Sequence, residues 1–401
     1  QLLFKVAEYP MNWIDDSILW VTNAALTILP EGSLLSSLVT DGIIAGIGGV
    51  IIFIPQIALL FLLLGILEDT GYVSRISYLL DSVLQKFGLS GKSVIPMVGG
   101  FACAIPAIMS ARTIGNNKER LITMLVTPLM ACSARLPVYT VLIGVMAINQ
   151  QGYWADQRGL VFFGLYMLGI IAALLFAAVF KFTLKSSSSS HMILELPQYR
   201  RPIFRNIWNN TWLKTWQFLK GAGFIIFMVS IILWVLASFG PPSQRNSIEQ
   251  QYAQVEINDS LEQLKSSQLL EVSYAGILGK TIEPAISPLG YDWKIGIAII
   301  TSFAAREVFV GTMSTIYAVE SEEEDLIINR LRGAKRSDGT TVFSTATIIS
   351  LLLFYAFALQ CVSTIAIMKK ETHGWKWPMI QLAYMTALAY LSALIAYQLL
   401  S

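Results

Sequence analysis

Six stretches of this 401-residue chain run without a charged residue: Gly42–Leu67, Ser93–Ala111, Gly159–Phe180, Gly221–Gln244, Gly339–Met368 and Trp377–Ser401. Each is about as long as a helix that crosses a bilayer, roughly 17–25 residues. Two further apolar stretches carry internal charge: Leu121–Ala155 contains Arg135, and Ile295–Val319 contains Arg306 and Glu307. Together they predict an all-α polytopic membrane protein with about eight transmembrane helices. The intervening stretches Glu68–Lys92 and Ser273–Asp292 are too polar to span. In the first, Tyr72, Ile76, Leu79, Leu80 and Val83 recur at helical spacing, which predicts an amphipathic helix lying at the interface or against the bundle. Trp13–Leu38 is expected to be a second such element on the cytoplasmic side.

The pattern repeats. Gly88–Ser110, GLSGKSVIPMVGGFACAIPAIMS, aligns with Gly290–Ser314, GYDWKIGIAIITSFAAREVFVGTMS. Gly88 matches Gly290 and Phe101 matches Phe303 at one offset; a two-residue insertion then brings Met109 onto Met313. Each copy follows a span and a polar stretch, and each precedes a charged loop and a span with one cysteine, Cys132 or Cys361. Duplicated membrane units with interrupted helices in matching positions point to a transport site at the repeat interface.

Composition agrees: 55% of residues are hydrophobic and 13% charged, against about a quarter charged in a soluble domain. The distribution of charge gives a topology. Lys181–Lys220 holds seven Lys or Arg and one acid, which places it in the cytoplasm. Gly240–Ala275, with two basic and five acidic residues, is expected outside. Alternation then puts Arg112–Arg120, Arg330–Arg336 and both termini on the cytoplasmic side and favours parallel repeats. The resulting organisation is a cytoplasmic or interfacial segment (1–41), a first repeat (42–149), a linking span with a basic loop (150–212), a second repeat (213–370) with an external loop at 240–275, and a C-terminal span (371–401). Ser186–Ser190 is expected to be a flexible linker. The chain opens on Gln without a signal-peptide pattern, so an upstream segment is expected to have been removed.

Candidate chemistry sits at the interruptions. In GGFACAIPAIM, Gly99 and Gly100 permit close approach or unwinding, and Pro106 removes a backbone N–H and frees the Ala102 carbonyl. Cys103 and Met109 would set soft sulfur beside freed carbonyls. Taken alone, a cysteine such as Cys103 is more often a small packed hydrophobe than a ligand. PLMACSARLPVY repeats the arrangement with Pro128, Cys132 and the intramembrane Arg135. A charge at the bilayer centre costs at least about 2.5–3.5 kcal/mol, so Arg135 and Arg306 are expected to face a partner or a cavity, as structural or gating charges. Glu307, beside Arg306, is a candidate cation ligand or half of an ion pair. Glu68 and Asp69 close the first span and are expected to gather cations at an external mouth, or simply to cap a helix end. GLSGKS lacks the first glycine of a phosphate-binding loop, Lys86 standing there, and follows no strand. His191 and His373 have no metal-ligand spacing. Thiolate and thioether ligands favour a late first-row ion over Mg²⁺ or Ca²⁺, without choosing between Fe²⁺, Zn²⁺ and Cu⁺.

LEDTGYVSR, GLSGKSVIP, GFACAIPAIMSART, CSARLPVY, ELPQYRRP and REVFVGT occur here in one order along nearly the whole chain. In these segments the chain resembles the membrane domain of the ferrous iron transport protein B family, FeoB, whose two Gate units correspond to the repeats. The resemblance implies uptake of Fe²⁺ across a prokaryotic inner membrane, with Fe²⁺ as the transported ion and no cofactor in this chain. GTP and Mg²⁺ would act through a cytoplasmic GTPase domain that normally precedes the first span. Such a domain's motifs do not precede Trp13, so this chain is expected not to be an enzyme itself. It also implies that Cys103, Cys132 and Cys361 line the iron path. Expected partners are the lipid bilayer, that GTPase domain and small accessory proteins of the same uptake system, with no nucleic acid. By position, Arg112, Lys118, Glu119 and Arg120 are expected to contact the GTPase domain. The rivals are a secondary transporter of a small organic substrate such as a nucleoside, and a non-transporting scaffold.

Overall fold

The computed structural model describes residues 2–28, 34–52, 54–147, 154–184, 199, 201–242, 245, 247–248, 250, 259–303, 306, 308–317, 324–334, 341–359 and 361–401. They form two compact units, one of Gln1–Ser133, Met167–Ile231 and Ser363–Gln381, the other of Ala134–Tyr166, Ile232–Val362 and Leu382–Ser401. Six segments among the described residues are long and apolar enough to cross a membrane: Leu35–Asp69, Asn117–Met146, Gly159–Thr183, Phe204–Ser238, Thr345–Thr372 and Lys376–Leu400. Along the third, Leu160, Phe163, Ile171, Leu175, Val179 and Phe182 are all exposed. An apolar stripe of that length fits a lipid solvent.

The other two expected spans are not single helices. Ser93–Ala111 becomes Val94–Gly100 and Ala104–Ser110, and Ile295–Val319 becomes Trp293–Thr301 and Val308–Ile316. At 1.5 Å per residue, seven- to nine-residue arms reach about 10–14 Å, well short of a hydrocarbon core of about 30 Å. In both cases the arms fold back. A Cβ on Gly99 would lie 3.5 Å from that of Ala107, and the hydroxyls of Thr301 and Thr312 are 2.9 Å apart. Partners eight and eleven residues apart cannot meet along one straight helix. Each repeat therefore holds a helical hairpin, and six segments among the described residues, against the eight expected, are long and apolar enough to cross.

The approach to each hairpin is also duplicated. Tyr72–Leu84 and Tyr274–Ile286 are both 13-residue helices, each followed by a 3₁₀ turn, Gln85–Phe87 or Ser287–Leu289, and a left-handed glycine. These glycines, Gly88 (φ 83°) and Gly290 (φ 79°), are the pair that anchors the sequence alignment. The apolar face expected on Tyr72–Leu84 points outward, with Tyr72, Leu79, Leu80 and Val83 exposed, as a helix lying along lipid would present it. The opening helix, Leu2–Ile28, begins eleven residues before the expected Trp13, and its Ile18 sits against Gly48. Ser186–Ser190 lies outside the described residues.

Buried hydroxyls and amides tie each unit together. In the first, the Ser93 and Thr123 hydroxyls are 2.8 Å apart, and Gln381 Nε2 donates to the carbonyls of Met124 and Leu125. In the second, the Ser350 hydroxyl meets Tyr291 Oη at 2.9 Å and donates to the Ala393 carbonyl at 3.0 Å, while Tyr355 Oη donates to Ser302 Oγ.

Candidate functional site

The first hairpin turns through Phe101–Cys103. The carbonyl of Gly99 accepts the amides of both Ala102 and Cys103, and Cys103 is extended (φ −155°, ψ 133°) before the second arm begins. Pro106 falls in that arm's first turn, where no N–H is needed, so it starts a helix instead of breaking one. The Ala102 carbonyl is nonetheless outside any helical ladder, and it accepts the Ser133 hydroxyl at 2.9 Å. Gly100 serves close approach: a Cβ there would lie 3.1–3.2 Å from Thr127 and Met130.

Ser133 belongs to the break in the following span. The helix Asn117–Val126 gives way to a 3₁₀ turn at Thr127–Leu129, which holds Pro128, and Met130 is extended before Leu136–Ala147 resumes. Gln56 from the first span donates to Ser133 Oγ at 3.2 Å. The backbone beside Cys103 and the backbone beside Cys132 are thus joined at one junction, with the amide of Gln56 beside it. Both thiols are half-buried. The second unit repeats the construction. The Phe303 carbonyl at its hairpin tip accepts the amide of Val362, immediately after Cys361, where Thr345–Phe357 breaks before Val362–Thr372.

Arg306 is buried beside this second junction. Its guanidinium donates to the carbonyl of Ala358, which caps Thr345–Phe357. Cations at helix C-termini are favoured by the aligned peptide dipoles. The expected partner, Glu307, lies outside the described residues. Arg135 is fully buried in the 3₁₀ turn Ser133–Arg135. Met109 lies on the second arm of the first hairpin, away from its tip, and lines a cavity with Pro106 and Arg112. Among the described residues, no three His, Cys, Asp or Glu side chains cluster as a metal-holding set. The junctions therefore offer sulfurs, hydroxyl and amide oxygens and free backbone, not a closed cage.

The acidic end of the first span packs against the basic segment that follows the third. Asp69 Oδ2 accepts the amide of Ile203 at 2.6 Å, the Arg75 guanidinium stacks 3.4 Å from the Tyr199 ring centroid, and Lys181 Nζ donates to the carbonyls of Gln85 and Lys86. Tyr199, Ile203 and Lys181 belong to the basic segment that the positive-inside rule assigns to the cytoplasm. Glu68 and Asp69 share that end of the first span with the basic segment. In GLSGKS, the Gly91 amide donates to Asp81 at 2.6 Å, so the loop is closed by a carboxylate.

Of the residues expected to meet a GTPase domain, Arg112 binds Glu371 through two nitrogens, Nε lying 2.9 Å from Oε2. That contact raises the guanidinium pKa further above its ordinary value. Glu119 is buried in the first turn of Asn117–Val126, capped by Asn116, which leaves little of it for a soluble partner. Lys118 is exposed and Arg120 half-buried. Gln56, Ser133 and Glu371 were not singled out as site residues by sequence. Glu371 had no local signal, lying 259 positions from Arg112.

Comparison with known proteins gives a consistent set of matches. The Gate family, described as nucleoside recognition, matches residues 50–146 and 219–375, and the ferrous iron transport protein B C terminus matches 162–214. The chain is 43% identical over 402 residues to the Fe(2+) transporter FeoB of Leptospira biflexa serovar Patoc, covering 100% of this chain and 56% of that protein. It is 46% identical to the protein of the same name in Leptospira interrogans, covering 99% and 56%. A Porphyromonas gingivalis Fe(2+) transport protein A/Fe(2+) transporter FeoB fusion protein is 37% identical, covering 99% of this chain and 48% of its own length. The chain spans about half the length of the curated relatives it matches. No solved structure matches it.

Proposed function

Because the chain belongs to the ferrous iron transport protein B family, as its Gate-containing membrane region, we propose that it forms the membrane path for Fe²⁺ uptake across a prokaryotic inner membrane. The observation that carries this reading is the duplicated junction. In each repeat a hairpin tip is hydrogen-bonded to a broken span within one residue of a half-buried cysteine, Cys132 in one and Cys361 in the other, and Cys103 lies at the first tip. Broken helices at the middle of duplicated repeats expose backbone where an ion can be desolvated and passed on. Sulfur beside oxygen suits Fe²⁺ better than Mg²⁺ or Ca²⁺. Glu307 is proposed as a further ligand, and Arg135 and Arg306 as fixed charges that keep the breaks open and resist anion-free collapse.

In this reading GTP and Mg²⁺ act through a cytoplasmic domain in the part of the parent protein that the chain does not span, and catalysis belongs there. A small accessory protein is supported by the name of the Porphyromonas gingivalis fusion. Lys118 and Arg120 are the better-placed GTPase-domain contacts. Counting crossings without the hairpins puts Glu68–Lys92 inside and moves Arg330–Arg336, the C-terminus and the start of Leu35–Asp69 outside, so a cytoplasmic domain ahead of the chain requires the 27-residue helix Leu2–Ile28 to cross as well. A membrane-impermeant maleimide added to right-side-out vesicles should label Ser401→Cys and spare Lys86→Cys; the reverse pattern would sink this topology.

The nucleoside reading has the Gate description in its favour. Against it, the cavity beside the first hairpin has Gln217 as its sole amide side chain among the described residues. Proteoliposomes of the full-length parent should accumulate Fe²⁺ and not uridine. Uridine uptake without Fe²⁺ uptake would reverse the assignment.

A further inference from the structure

Two cavities adjoin in the first unit and share Met109, Arg112 and Gln217. The first, about 310 Å³, lies among apolar side chains including Phe61, Leu64, Val94 and Ile105. The second, about 300 Å³, is lined by Arg112, Lys220 and Lys370, with Glu371 the single carboxylate. Both are at the lower end of the size range of ligand pockets, roughly 300–1,000 Å³. Arg112 already holds Glu371 in a bidentate pair, so the positive charge of the two lysines is not balanced within the cavity.

Depth is marked independently. Trp208, Trp212 and Trp216 recur every fourth residue on Phe204–Phe218 and are all exposed. The rings of Trp212 and Trp216 stack at 6.5 Å, and Lys220 Nζ lies 5.1 Å from the Trp216 ring centroid. A tryptophan row of this kind marks the membrane–water interface, and Trp216 also lines the basic cavity. Trp216 and Lys220 therefore put the basic cavity at headgroup level, with the apolar cavity beside it.

We propose that the two cavities form a binding site for one anionic phospholipid. Its headgroup phosphate lies among Arg112, Lys220 and Lys370, and one acyl chain fills the cavity beside Phe61 and Ile105. Cationic pockets between helices on the cytoplasmic side are suited to such headgroups, and a chain in the neighbouring cavity removes its apolar surface from water. A zwitterionic lipid has the same chains without the net charge, and free phosphate has the charge without the chains. This inference does not depend on which ion is transported.

Native mass spectrometry of the full chain in detergent tests it, with phosphatidylglycerol, phosphatidylcholine and inorganic phosphate titrated separately. One phosphatidylglycerol per chain should be retained, at least tenfold more tightly than phosphatidylcholine. Lys220→Ala/Lys370→Ala should reduce phosphatidylglycerol affinity at least tenfold and leave phosphatidylcholine unchanged. Equal retention of both lipids, wild-type affinity in the double variant, or inorganic phosphate binding as tightly as phosphatidylglycerol would each overturn the assignment.

Discussion

At the scale of single residues, the positions that matter most are those where the backbone has no room for a side chain. Gly88 and Gly290 are left-handed, and a Cβ would fall 2.7 Å from Lys181 Cβ in one case and 2.2 Å from the Tyr397 ring in the other. A left-handed residue with a Cβ costs roughly 1–2 kcal/mol before any clash. Gly88→Ala and Gly290→Ala should each lower the thermal midpoint of the chain in detergent, with Gly290→Ala the worse because its neighbour is a ring. Unchanged midpoints would show that these turns relax freely. The sequence exposed this pair as the anchor of the repeat. It did not expose the reason, since Lys181 and Tyr397 lie about a hundred positions away in each case. Glu371 was invisible for the same reason, whereas the rejection of GLSGKS as a phosphate loop followed from its spacing alone.

At the scale of elements, punctuation was legible and direction was not. Gly99, Gly100 and Pro128 marked where helices stop and Pro106 where the next one starts, and the structure breaks within four residues of each. Apolar content could not say whether Ser93–Ala111 runs on or turns back, because a span and a re-entrant hairpin bury similar side chains in the same solvent. What fixes the turn is tertiary: Gly99 against Ala107, Thr301 against Thr312, and each tip bonded to the next break. Ser133 is the tie that mutation can remove with least disturbance. Ser133→Ala deprives the Ala102 carbonyl of its donor and Gln56 of its acceptor, at a cost of about 1–3 kcal/mol. Thiol labelling of Cys103 should speed up several-fold in that variant while Cys361 keeps its rate. If Cys103 reacts as in wild type, the hydroxyl does not hold the tip.

At the scale of the molecule, hydropathy established the class, the all-helical architecture and the duplication, and the order of the quoted segments led to the family. Sidedness depends on counting crossings, and the two hairpins proposed not to cross would change that count. Of the candidate path residues, Cys103 and Cys132 each adjoin the bond that ties one hairpin tip to the next break and Cys361 takes the matching position in the other unit, while Met109 lines a separate cavity and Asp69 contacts the basic segment. The central claim is that these junctions conduct Fe²⁺ through their sulfurs. Its most direct test is Fe²⁺ uptake by proteoliposomes of the full-length parent carrying Cys103→Ser, Cys132→Ser or Cys361→Ser, each verified as folded and inserted. The account predicts at least a tenfold loss of Fe²⁺ flux in each variant; wild-type flux in all three would contradict it and leave the path to carbonyls and water.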